Sequence, residues 1–301
     1  MQRDDGIYRS ARQSDLQLLR SELDEESWSC LARLLRLSCT RQEWIFLGFE
    51  AEKLAGALAL AAPSQFHQPL EIVWLLGGFG RPVDPLRLCQ LAVEKAKALG
   101  ARELYCTLPE SCAEASVISE AQFCPWRKIV RFESGGPMDP GVGGYRSAPV
   151  DNFARFEIIE LIEKTSQNSA DSQIKLYRQQ LGGIADAELT LGMMESLSYE
   201  PLWWRVALAP QGEPLGIVLP VCAFGEMVIG FIGVVPENRG RNLASFLLFE
   251  AWSVIKFQGH LTICAEADEQ SVSMHRALAK SQFSRRSQKQ EWRLEIEGAE
   301  R

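Results

Sequence analysis

Apolar positions along this chain recur in two rhythms, and the order of those rhythms is repeated. From Met227 to Val235 the sequence is nearly continuously apolar, as in a strand covered on both faces. Leu243, Phe246, Leu247, Ala251 and Val254 follow at helical spacing, and Leu261 to Ala265 forms the next buried strand. Two apolar runs joined by a short polar turn predict a β-hairpin, and this happens twice, around Glu50 to Lys53 and around Pro210 to Pro214. Each half then reads as helical segments, a hairpin, a further strand, a helix, a strand, a helix and a final strand. That order predicts mixed α/β layers.

The halves also share residues. Tyr8-Arg9-Ser10-Ala11 returns as Tyr145-Arg146-Ser147-Ala148, the second followed by a helix-like run from Phe153 to Lys164. Trp44 precedes Gly56 by the same 12 residues that separate Trp204 from Gly216. Glu120-Ala121-Gln122-Phe123 parallels Lys280-Ser281-Gln282-Phe283, and strand-like tails follow, Lys128 to Glu133 and Glu291 to Glu297. Matches in one order argue for duplication of a unit of roughly 140 to 150 residues, an ordinary domain size. The Gly/Pro-rich stretch from Gly135 to Gly141 lies between the copies and reads as a linker. Two similar domains are expected, residues 1–143 and 144–301, with the boundary near residue 143.

Composition narrows the function classes. The 301 residues carry 32 basic and 39 acidic side chains, a net charge of −7, with no Lys/Arg run longer than two. A nucleic-acid partner is not expected, and cationic or neutral small partners suit the charge better than acidic ones. The start lacks an apolar signal core and no apolar stretch is long enough to span a bilayer, so the chain reads as soluble and cytoplasmic, without a membrane partner. The 8 cysteines contain no C-x-x-C pair and only 3 histidines accompany them, so neither a metal site nor a disulfide framework is expected.

Between the apolar strand and its helix lies Val234-Val235-Pro236-Glu237-Asn238-Arg239-Gly240-Arg241-Asn242-Leu243-Ala244. Arginines, a glycine and a small residue at a helix start suit an anion, because backbone N–H groups and the helix dipole face it there. The strand, turn and helix resemble the coenzyme A signature of the GCN5-related N-acetyltransferase (GNAT) family, Q/R-x-x-G-x-G/A, with Arg239, Gly240, Arg241, Asn242, Leu243 and Ala244 in its six positions. Asn242 stands where glycine is usual. Asparagine accepts left-handed backbone better than other side chains do. Ser271-Val272-Ser273-Met274 resembles the family's N-x-x-A/M element with Ser271 for asparagine, and Gln282-Phe283 its Gly-Phe.

The resemblance implies a tandem GNAT fold whose second copy seats acetyl-CoA, or another acyl-CoA, as co-substrate and needs no metal. Val234 and Val235 would offer backbone contacts, one of their N–H groups serving the oxyanion, and Ala244 and Ser245 would follow at the helix start. The implied activity is N-acyl transfer to a primary amine of a small molecule or peptide. A non-catalytic acyl-CoA sensor or scaffold is the alternative, since the family's acidic tyrosine position is Leu278 and the strand interior lacks a titratable residue. Glu226 and His275 are the candidate bases, and Glu266 and Asp268 lie at the carboxyl edge of a strand. In the first copy Gly77 to Pro82 lacks the leading arginine, and Asp84-Pro85 reads as a helix N-cap with proline at the first helical position. That copy is expected to be degenerate. A monomer forming an intrachain pseudo-dimer, or a homodimer, is expected. Trp203 and Trp204 should face opposite sides of the chain, one of them in the core and the other at the acceptor cleft or a packing surface.

Overall fold

The computed structural model describes residues 7–36, 38–62, 70–76, 83–137, 139–141, 144–223 and 225–296. The first copy's Gly77 to Pro82 turn, Met138 of the linker, residue 143 and Glu297 lie outside them. Along the chain come β1 (Ile7–Ser10), α1 (Asp15–Glu22), α2 (Glu25–Arg36), β2 (Ile45–Glu50), β3 (Lys53–Ala61), β4 (Leu70–Leu76), α3 (Pro85–Ala98), β5 (Glu103–Pro109), α4 (Glu114–Glu120) and β6 (Cys124–Ser134). They are followed by β7 (Arg146–Pro149), α5 (Arg155–Ser166), α6 (Ser172–Leu181), α7 (Gly183–Ser196), β8 (Arg205–Leu208), β9 (Pro214–Ala223), β10 (Glu226–Val234), α8 (Leu243–Phe257), β11 (Ile263–Asp268), α9 (Val272–Lys280) and β12 (Ser284–Glu295).

The chain divides into two compact units, Met1–Arg127 with Lys289–Arg301, and Lys128–Gln288. These are not the sequence repeats, because each repeat's last strand is built into the other unit. In the first unit the strand order is β1-β2-β3-β4-β5-β12, with Lys289 to Glu295 of β12 antiparallel to β5. The second has β6-β11-β10-β9-β8-β7, with Ile129 to Ser134 of β6 antiparallel to β11. In each, one internal pair is parallel: β4 with β5, and β10 with β11. A split at residue 143 follows the duplicated sequence, whereas compactness follows pairing between residues far apart in the chain.

In the first unit the sheet separates two apolar layers. Ile45, Leu47, Ala57, Ala59 and Leu75 pack with Leu19 and Leu31 of α1 and α2. Phe46, Leu58, Leu60, Ile72 and Leu104 pack with Leu88, Ala92 and Ile118 of α3 and α4. Alternation along β2 and β3 sends neighbours to opposite layers. The hairpin between them turns on Ala51 and Glu52, both at positive φ (43° and 66°), as a two-residue turn matching strand twist requires. The α3 start is as the sequence predicts: Asp84 accepts from Leu86 N–H at 3.0 Å and Pro85 is the first helical residue.

The second unit repeats the plan around one core that includes Val206, Ile217, Leu219, Leu247, Leu248, Ala251 and Ile255. Trp203 and Trp204 are both buried in it, so neither reaches a cleft. Trp204 donates to Pro220 O at 2.9 Å and stacks on Tyr199 with ring centroids 4.0 Å apart. Sheet and helices meet closely at two glycines. A Cβ on Gly216 would lie 3.1 Å from Leu247 of α8, and one on Gly233 would lie 2.5 Å from Cβ of Thr165 in α5. Gln122 and Gln282, equivalent in the repeats, both adopt positive φ (71° and 61°) where the chain leaves a helix for a strand. No helix among the described residues is long and apolar enough to cross a membrane.

Candidate acyl-CoA site

The site lies within the second unit, where parallel pairing stops. β10 and β11 are paired only at Val228 with Cys264 and Ile229 with Ala265. Beyond those residues β10 runs on to Val234 and β11 to Asp268 without pairing to each other, so the sheet opens at its carboxyl edge, where open α/β sheets take ligands. Opposite the opening, β10 carries a bulge against β9 between Ile229 and Phe231, which leaves Gly230 out of register.

After Val234 the chain makes a short 3₁₀ turn, Pro236–Asn238, then Arg239 to Asn242, and enters α8. Gly240 has φ +78° and Asn242 φ 61°, ψ 15°, so Asn242 adopts the left-handed conformation that a glycine would otherwise supply. Among the described residues, no protein acceptor takes the N–H groups of Gly240 to Ser245, the orphan donors of a helix start. They border a cleft of about 390 Å³ lined by Ile232, Gly233 and Val234 of β10, Asn238 to Gly240 and Asn242 to Ser245, Thr165 and Asn168 to Ala170 after α5, and Ser271, Ser273, Met274, Arg276, Ala277 and Lys280 around α9. Among the described residues its charged lining consists of Arg239, Arg276 and Lys280, and no aspartate or glutamate joins them.

Arg239 has a different part from the one its motif position implies. Its Nε donates to Val234 O at 3.1 Å, Nη2 to Thr165 O at 2.9 Å and Gln167 O at 2.6 Å, and Nη1 to Asn168 O at 3.3 Å. The guanidinium therefore satisfies carbonyls at the open end of α5, where a cation also meets the negative end of the helix dipole. Burial lowers its pKa, with Glu237 opposing. Directly across the β10–β11 opening, Asp268 Oδ2 accepts from Ser172 N–H at 2.9 Å. The α5–α6 segment is thus tied to both lips of the cleft, by Arg239 on one side and Asp268 on the other.

Of the residues the sequence proposes, Val234, Arg239, Gly240, Asn242, Leu243, Ala244, Ser245 and Ser271 line one cleft. Arg241 does not line it. Val235 is corrected: its N–H donates to Leu215 O at 2.9 Å and is not available to an oxyanion. The β10 residue without a register partner lies five positions earlier, at the Gly230 bulge, which alternation alone does not reveal. Both candidate bases are engaged elsewhere. Glu226 begins β10, at the far end from the turn, and pairs with Arg131 at 2.8 Å. His275 points its Nε2 to Asp268 O at 3.0 Å and sets its ring edge-on to Phe132. Neither lines the cleft, nor does Glu266 or Asp268. Among the described residues no group of three or more His, Cys, Asp or Glu is placed to hold a metal ion.

Sequence reasoning misses Thr165, Asn168, Arg276 and Lys280. The last two stand four apart on α9, a spacing that puts them on one helix face, and this was the available signal.

No protein-family model and no curated protein matches the sequence. Solved structures do. A GCN5-related N-acetyltransferase from Sphaerobacter thermophilus is similar over 98% of this chain and 98% of its own, at TM-score 0.69 and 16% identity. A tandem GNAT protein from the clavulanic acid biosynthesis pathway is similar over 97% of this chain and 98% of its own, at TM-score 0.58 and 15% identity. A putative acetyltransferase from Pyrococcus horikoshii covers 99% of this chain and 92% of its own, at TM-score 0.55 and 15% identity. The chain has the GCN5-related N-acetyltransferase fold in its tandem form.

Proposed function

We propose that the second unit binds an acyl-CoA, most simply acetyl-CoA, and transfers its acyl group to a primary amine of a small molecule or peptide. The observation that carries this reading is the cleft at the α8 start, where unpartnered amides and cations converge in a protein of net charge −7. The diphosphate would sit on the amides of Gly240 to Ser245, and the pantetheine arm would lie in the opening between β10 and β11. In the reaction the amine nitrogen attacks the thioester carbonyl, a C–N bond forms, the C–S bond breaks and coenzyme A leaves as thiolate. A backbone N–H at the Gly230 bulge, beside the point where β10 parts from β11, would be the oxyanion donor. Among the described residues no Asp, Glu, His, Tyr or Cys lines the cleft, and in this reading the amine's proton passes to solvent. The repeats 1–143 and 144–301 would divide the labour, with acyl-CoA held by the second unit alone.

The same absence of a titratable base favours a second reading, an acyl-CoA sensor that binds without turnover. A thiol-release assay with acetyl-CoA against a panel of polyamines, amino sugars and peptide N-termini separates the two. Release above the hydrolytic background for at least one amine supports transfer. Saturable binding with no release from any amine leaves the sensor.

A further inference from the structure

Four of the five N–H donors of the motif's leading arginine are taken by backbone carbonyls, which leaves it little to offer a phosphate. Another source of charge borders the same cleft. We propose that Arg276 and Lys280 of α9 form a subsite for a phosphate monoester, and that in the acyl-CoA reading on which this inference rests they bind the 3′-phosphate of coenzyme A.

Three observations meet here. Both side chains line the cleft, and the four-residue spacing puts them on one face of α9. Neither has a carboxylate partner among the described residues, although the chain carries more acidic than basic groups. Lys280 Nζ donates to Asn242 Oδ1 at 3.3 Å, which turns the ammonium toward the phosphate-binding turn instead of bulk solvent. Two like charges one helical turn apart repel each other, so an unpaired cation pair is stabilised by an anion between them.

The division of labour follows from charge. A diphosphate spreads its charge along a chain and suits a row of amides at a helix start. A terminal monoester is close to a dianion at neutral pH, and its three outer oxygens suit a guanidinium beside an ammonium. Asn242 serves both parts, since its left-handed backbone shapes the turn and its side chain holds Lys280. A glycine at that position would supply only the first.

The test titrates coenzyme A and 3′-dephospho-coenzyme A into the full chain and into an Arg276→Gln, Lys280→Gln double variant. The native chain should bind coenzyme A about tenfold or more tightly than the dephospho form, a difference set by charge-assisted contacts. The double variant should lose that preference and bind both forms alike, while an unchanged urea-unfolding midpoint reports an intact fold. Equal affinities in the native chain, or a preference that survives the double substitution, would overturn the subsite and leave the acyl-CoA reading standing. Absence of binding by either ligand to the native chain would instead overturn that reading and the subsite with it.

Discussion

Arg239 donates to the carbonyl oxygen of Thr165 at 2.9 Å, and through this contact the turn before α8 is fastened to the last turn of α5. A residue placed by its motif at a phosphate is therefore a brace in this chain. Replacing Arg239 with Met should lower stability by about 2 kcal/mol, because charge-assisted bonds to otherwise unpaired carbonyls are lost. Lysine should not restore it, since a single ammonium cannot span four carbonyls. Urea unfolding of the native chain and both variants measures this, and unchanged midpoints would contradict it.

Ala244 lines the cleft at the second residue of α8, beside the unpartnered amides. Ala244→Leu should place a side chain where the diphosphate would approach the backbone. Affinity for acetyl-CoA should fall at least about tenfold, while the unfolding midpoint stays within about 0.5 kcal/mol of native, as for a change at a partly exposed position. Equal affinity would move the phosphate away from this turn.

Asp186 of α7 is 2% exposed, and its Oδ2 is without a hydrogen-bond partner among the described residues. Burial pushes its pKa up to about 6, with Arg178 opposing and Asp171 adding. The native carboxyl therefore holds its proton more tightly than the unfolded one. Its contribution is fully present below about pH 4 and is lost as pH rises through about 6. Asp186→Asn should be more stable than the native chain at pH 7.5, by at most about 3 kcal/mol, and the gap should close near pH 4. Urea denaturation at both pH values measures the gap, which this account does not allow to be equal at the two.

Gly230 sits at the β10 bulge, and a Cβ there would meet Sδ of Met194 at 2.3 Å. Gly230→Ala should destabilise the chain by about 1 to 3 kcal/mol through overpacking. Adding Met194→Ala should recover part of that loss, a coupling that a double-mutant cycle reads directly. Strict additivity would show that the two residues do not press on each other.

Much of this architecture is legible in the sequence because its causes are local. Asp84 and Pro85 mark a helix start by their own chemistry, the apolar run before Val235 declares a covered strand, and Asn242 announces a left-handed turn. What escapes is non-local. β12 and β6 are recognisable as strands, but nothing in either says that it will pair with β5 or β11. β1 and β7 are four residues each, too short for alternation to register. A single residue, Gly182 with φ +88°, separates α6 from α7, and α7 buries an aspartate, so its polar and apolar positions do not separate cleanly. At the site, the motif locates the turn but cannot show that carbonyls from another helix will take Arg239, or that α9 will bring Arg276 and Lys280 to the same cleft.

The central claim is that the second unit holds acyl-CoA on the α8 turn, and calorimetric titration of acetyl-CoA into the full chain, native and Ala244→Leu, addresses it most directly. The account predicts saturable binding at one site per chain, lost or weakened at least about tenfold in the variant. No heat of binding to the native chain at millimolar ligand, or equal binding by both chains, would contradict it.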